Sequence, residues 1–94
     1  MNKPVYTTAA TVDLVDILEY AAHDKPQAAL KLVEKIEAKC LLIASSPGIG
    51  ESQLHLGEGV KSSAVGRYVI FHRYAKSRVE ILRVLPGDRN ITEL

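Results

Sequence analysis

Cysteine occurs once in this chain, at Cys40, phenylalanine once, at Phe71, and tryptophan not at all. A single thiol excludes an internal disulfide and fits a reducing cytoplasm. No apolar run approaches the roughly 20 residues needed to span a bilayer, and no membrane partner is expected. The opening MNKPVYTTAATVDLVDILEY has acids inside its apolar part and no separate hydrophobic region, so no signal peptide is expected. No two of His23, His55 and His72 have metal-ligand spacing, and Cys40 falls on a helical stripe as a small core hydrophobe, so neither metal nor cofactor is expected. No serine sits in a G-x-S-x-G elbow. The glycine-rich PGIGESQLHLGEG follows a helix rather than a strand and lacks the Gly-Lys-Ser/Thr ending, which rules out a phosphate loop.

What is present is ordinary for a globular protein: 94 residues, 47% hydrophobic and 24% charged, enough for one domain over residues 1–94 with one modest core. KPVYT is short and β-prone, placing a first strand around Lys3–Thr7. Ala10, Leu14, Ile17, Leu18 and Ala21 then recur at helical spacing, with Thr7, Thr8 or Thr11 as cap. Asp13, Asp16 and Glu19 read as a solvated face of that helix.

A second, longer helix opens at Asp24 as N-cap with Pro26 in its first turn. Ala29, Val33, Ile36, Cys40 and Ile43 form its stripe, and Ser45-Ser46-Pro47-Gly48 ends it. The short connection predicts an antiparallel helical hairpin. VKSSAV, RYVIFHRYA and RVEILRVLP are three strands, the last two joined by a tight turn on Lys76-Ser77. That turn sets Arg73 opposite Glu80 as a structural pair, Phe71 opposite Leu82 and Val69 opposite Val84. The other face, with Ile70, Ile81 and Leu85, is also apolar and calls for a cover, from the end DRNITEL or from a partner. The fold class is α+β: an N-terminal strand and an αα-hairpin packed on a small twisted antiparallel sheet.

Charge is uneven although the net value is only +1. Residues 1–59 carry five lysines against eight acids, and residues 60–94 carry seven basic residues against three acids, so the β half is the basic half. That asymmetry hints at an acidic partner. Five arginines fall between Arg67 and Arg89. Arg73 is explained by Glu80 and Arg78 by the turn. Arg67, Arg83 and Arg89 have no evident partner in the sequence, and each lies near a strand end. Guanidinium forks suit carboxylate or phosphate.

DLVDILEY, KIEAKCLLIASSPGIG, GRYVIFHR and EILRVLPGDRN resemble the ParE branch of the RelE/ParE toxin superfamily over essentially the whole chain. Pro47 with Gly50, Tyr68 to Arg73, and Ile81 to Arg89 are the most specific pieces. The resemblance implies the toxin of a bacterial type II toxin–antitoxin system, cytoplasmic and tied to growth arrest and plasmid stabilisation. A ParD-like antitoxin would neutralise it, and it would inhibit DNA gyrase without catalysis. RelE-like relatives are instead ribosome-dependent mRNA endoribonucleases. The lack of Tyr or His after Tyr74 favours the ParE reading, so no catalytic residue is expected. A degenerate toxin acting only in an antitoxin-bound repressor complex is a further alternative. DNA would be contacted only through the antitoxin, since no helix is basic enough to read a groove.

On this reading Arg67, Arg83 and Arg89 form the surface for the target or the antitoxin tail. Val15, Leu18, Leu30 and Leu41 form the groove for an antitoxin helix. At two positions the sequence departs from its relatives. Pro86 stands where they often have histidine, and Glu51 where they often have a basic residue.

Overall fold

The computed structural model describes residues 2–94. The elements run β1 (Val5–Tyr6), α1 (Thr8–Ala22), α2 (Pro26–Ser45), β2 (Glu51–Ser52), a 3-10 turn (Leu54–Leu56), β3 (Val60–Val65), β4 (Tyr68–Ala75) and β5 (Arg78–Pro86). One five-stranded sheet has the order β1-β5-β4-β3-β2. β1 pairs parallel to β5, and the other pairs are antiparallel. The sheet is therefore mixed, not purely antiparallel. β1 gains its parallel partner because the hairpin of helices carries the chain across the sheet before β3 begins. The two-residue β2 was not expected from the sequence: it lies in a polar loop whose glycines conceal any alternation.

Thr7 caps α1, accepting from the Ala10 N–H at 3.1 Å, and its hydroxyl donates to the Leu82 carbonyl at 2.9 Å. One threonine thus starts the helix and fastens it to β5. α2 departs from expectation. Lys25, not Asp24, holds the N-cap position and makes no side-chain capping bond, while Pro26 supplies the first-turn geometry. Only three residues, His23 to Lys25, separate the helices.

The helices cover one face of the sheet. Ile36, Ile43, Ile70 and Ile81 are fully buried there with Ala10, Ile17, Cys40 and Val84. Each such isoleucine is worth about 1.5–3 kcal/mol on burial. The opposite face is a smaller cluster of Val60, Phe71 and Leu85, packed by Leu56, Leu82 and Ile91. Ile91 shows that the chain's end does act as a cover, but on this second face. The first face is closed by the hairpin.

The β4–β5 register begins as the turn dictates, with Ala75 opposite Arg78 and Arg73 opposite Glu80. It then shifts. Phe71 faces Arg83 rather than Leu82, and Val69 faces Leu85 rather than Val84, because Leu82 is an extra residue in β5. A bulge of this kind exchanges the faces of everything beyond it. Val84 consequently joins Ile70 under the helices, and Leu85 turns to the outer cluster.

Lys76 and Ser77 occupy the turn at φ 53° and 63°, the left-handed geometry of a two-residue hairpin. Neither residue type favours it. Lys76→Asn combined with Ser77→Gly should therefore stabilise the fold by about 1 kcal/mol, read from urea unfolding midpoints at unchanged slope. A lower midpoint would contradict this account of the turn.

Candidate functional site

The bulge places Arg83 beside α1. Its Nε donates to Asp13 Oδ2 at 2.7 Å and its second fork nitrogen donates to Asp13 Oδ1 at 2.9 Å. The Val84 N–H also donates to Asp13 Oδ2, at 2.9 Å. Asp13 is 8% exposed. It is thus a buried anchor, not part of a solvated acidic face, because the sheet edge offers it three donors. Arg83 is not partnerless either. Hydrogen bonding to Asp13 holds its guanidinium above the usual arginine range, despite partial burial.

Next to this pair a cleft of about 430 Å³ opens between α1 and the ends of β4 and β5. Asp16 and Tyr20 of α1 line one wall, and Arg67, Tyr68, Asp88 and Arg89 line the other. Arg67 and Arg89 are exposed, and among the described residues neither has a carboxylate within 4.0 Å. Arg83 is not a lining residue; it stands behind Asp13. The structure therefore brings Arg67 and Arg89 together as free cations and assigns Arg83 to the framework. By residue type Tyr20 would be a packing residue with a wet hydroxyl, but it is 79% exposed. Its position beside the stripe of α1 concealed that it overhangs a cleft.

Pro86 is the last residue of β5, and the Gly87 N–H beyond it donates to the Arg67 carbonyl at 2.7 Å. This bond ties the segment bearing Arg89 to the segment bearing Arg67. Arg89 also borders a groove of about 280 Å³ on the outer face, which contains Glu51. It thus stands where both depressions meet.

The expected pair of Arg73 and Glu80 forms. Arg73 donates to Glu80 Oε1 at 3.0 Å, while its buried Nε has no partner among the described residues. On the hairpin, Val15, Leu30 and Leu41 are about half exposed, at 48%, 55% and 52%, and Leu18 is half-buried. Exposed apolar side chains on a helical hairpin suit contact with an amphipathic helix.

Two buried groups are structural. Burial, aided by Glu37 despite the neighbouring Tyr6 hydroxyl, pushes the Cys40 thiol up to about 11, so it stays a protonated core residue. His72 is 1% exposed, and its Nε2 lies 2.9 Å from the Ser63 hydroxyl. Gly50 closes over this pair. At φ +108°, a Cβ there would lie 2.8 Å from the Ser62 carbonyl and 3.0 Å from His72 Nε2, so only glycine fits.

Burial, with Lys61 and Lys39 nearby, lowers the His72 imidazole from 6.5 to about 4. The unfolded chain therefore takes up a proton below about pH 6.5 that the folded chain refuses until about pH 4. Stability is full above that window and lost as pH falls through it. The fold should lose about 2 kcal/mol between pH 7 and pH 5 in urea melts, and His72→Gln should flatten most of that dependence. A wild-type profile that is already flat would show that His72 is not buried neutral.

Residues 5–91 match the family described as ParE toxin of type II toxin-antitoxin system, parDE. Toxin ParE1 of Caulobacter vibrioides is 34% identical over 82 residues, covering 86% of this chain and 84% of that protein. Among solved structures, the chromosomal ParDE toxin–antitoxin system from P. aeruginosa superposes with a TM-score of 0.80 at 22% identity, covering 94% of this chain and 98% of that one. The last comparison establishes the same fold, and the first two place the chain in the ParE family of type II toxin–antitoxin toxins.

Proposed function

We propose that this chain inhibits DNA gyrase by binding rather than by catalysis, in the bacterial cytoplasm, and that a ParD-like cognate antitoxin neutralises it. The observation that carries this reading is the cleft at the sheet end. Arg67 and Arg89 border it as exposed cations without carboxylate partners among the described residues. An acidic segment of an antitoxin, or an acidic surface of the target, would meet two free forks there. The exposure of Val15, Leu30 and Leu41 on the helical hairpin, with half-buried Leu18, supports an antitoxin helix as the second contact. The one buried histidine is sequestered in the sheet, away from the cleft. On this reading, sequence-specific DNA contact in a repressor complex is made only through the antitoxin.

One observation favours a second reading. Tyr20 and Tyr68 line the same cleft as the two arginines, which puts hydroxyl groups beside cations. Ribosome-dependent RNA cleavage would need a proton-transfer group and phosphate-binding charges of that sort.

A supercoiling assay with purified gyrase separates the two. The chain should abolish supercoiling and trap cleaved DNA, and added antitoxin should reverse both effects. Arg67→Ala with Arg89→Ala should weaken inhibition or antitoxin affinity by about 10-fold to 100-fold. Unaffected gyrase at large toxin excess, with mRNA cut on programmed ribosomes, would overturn the gyrase reading in favour of the enzyme.

A further inference from the structure

α2 is divided along its length. Its buried stripe of Ala29, Ile36, Cys40 and Ile43 faces the core. On one flank, Leu30, Glu34, Glu37 and Leu41 fall at helical spacing; on the other, Lys31, Lys35 and Lys39 follow one another at i, i+4 and i+8. Lys31 and Lys35 are exposed and Lys39 is half-buried. α2 packs on β3, and Lys39 of this flank and Lys61 of β3 both lie near enough to His72 to disfavour its charged form. Lys61 lies directly across from His72 in the β3–β4 ladder.

This row has no structural occupation. Among the described residues, none of these four lysines has a carboxylate within 4.0 Å. Like charges at i, i+4 destabilise a helix by about 0.2–0.5 kcal/mol per pair, and here two such pairs occur in succession. Of the acids of α2 only Glu34 lies at such a spacing from the row, at i+3 from Lys31; Lys35 and Lys39 have no acid three or four residues away. A surface that costs stability and is not neutralised internally points outward, to a polyanion.

We infer that the ridge of Lys31, Lys35 and Lys39, extended by Lys61, binds the phosphate backbone of duplex DNA without reading its sequence. The chemistry fits DNA better than an acidic protein. Lysine is depleted and aromatic residues are enriched at protein–protein interfaces, and the ridge has lysines and no aromatic. The contact is to the backbone, so it needs no helix basic enough to enter a groove. It adds to any contact an antitoxin makes, and it does not depend on gyrase being the target.

The test uses the purified chain and a fluorescein-labelled duplex of mixed sequence, with affinity read by anisotropy across salt. Four phosphate contacts predict a slope of log K against log salt near −3.6, so affinity should fall about 150-fold from about 50 to 200 mM salt. Lys31→Gln with Lys35→Gln and Lys39→Gln leaves one contact and should cut that fall to about 3-fold. The three changes are on the helix surface, and a far-UV melt at or above the wild-type midpoint confirms that the variant is folded. Lys61→Gln alone gives a second reading, a slope shallower by about 0.9. Three results would overturn the proposal: no duplex binding at low salt, an unchanged slope in the triple variant, or tighter binding of labelled polyglutamate than of the duplex. Each leaves the supercoiling result untouched, so failure of the ridge is distinguishable from failure of the gyrase reading.

Discussion

The Asp13 carboxylate is the point at which the two layers of this protein are fixed to one another. A helix and a sheet edge meet there across 70 residues of sequence, through two bonds from Arg83 and one from the Val84 N–H. Each donor has a structural need for that acceptor. The bulge at Leu82 breaks the regular pairing of β5 just before this point, and β1 is too short to cover the strand beyond Ile81. The exposed edge would otherwise invite pairing with another chain. Thr7, bonded to the Leu82 carbonyl, and Asp13, bonded to the Val84 N–H, close it from the helix side.

The functional surface depends on this arrangement. With Arg83 held by Asp13, the basic end of the sheet becomes two classes of arginine rather than one patch. Arg83 fixes α1 in place, and α1 in turn supplies the wall of the cleft opposite Arg67 and Arg89. The Gly87 bond to the Arg67 carbonyl keeps the other wall together. Within the helical layer, α2 carries its own segregated charge, acids on one flank and lysines on the other. The uneven charge visible in the sequence, an acidic helical half and a basic sheet half, is thus redistributed in space into separate surfaces with different chemistry.

Much of the architecture is legible from local signals. Both helices follow from the spacing of Ala10, Ile17, Ala29, Ile36 and Ile43, and the hairpin from a short polar link. The Lys76-Ser77 turn predicts the Arg73–Glu80 pair, because a two-residue turn fixes the first few rungs of a ladder. Sequence pattern fails where one residue changes the count. Nothing in EILRVLP marks Leu82 as the extra residue, since its neighbours are apolar on both faces. That single insertion moved Val84 and Leu85 to opposite sides and gave Arg83 a partner in a distant helix. Asp13 was misread for the same reason: an acid at helical spacing looks solvated until a long-range donor is known. Gly50 was noticed in the sequence, but its reason, the close approach of the Ser62 carbonyl and His72, is purely tertiary.

The central claim is that Arg83 holds the fold while Arg67 and Arg89 meet the partner. The direct measurement is a side-by-side comparison of Arg83→Ala and Arg67→Ala for both urea stability and supercoiling inhibition per folded molecule. Arg83→Ala should lose about 1–3 kcal/mol of stability and keep its inhibition once corrected for folded fraction, since it strips a half-buried pair of one member. Arg67→Ala should stay within about 0.5 kcal/mol of wild type and lose inhibition. An Arg83→Ala protein as stable as wild type but inactive would contradict the division and return Arg83 to the binding surface.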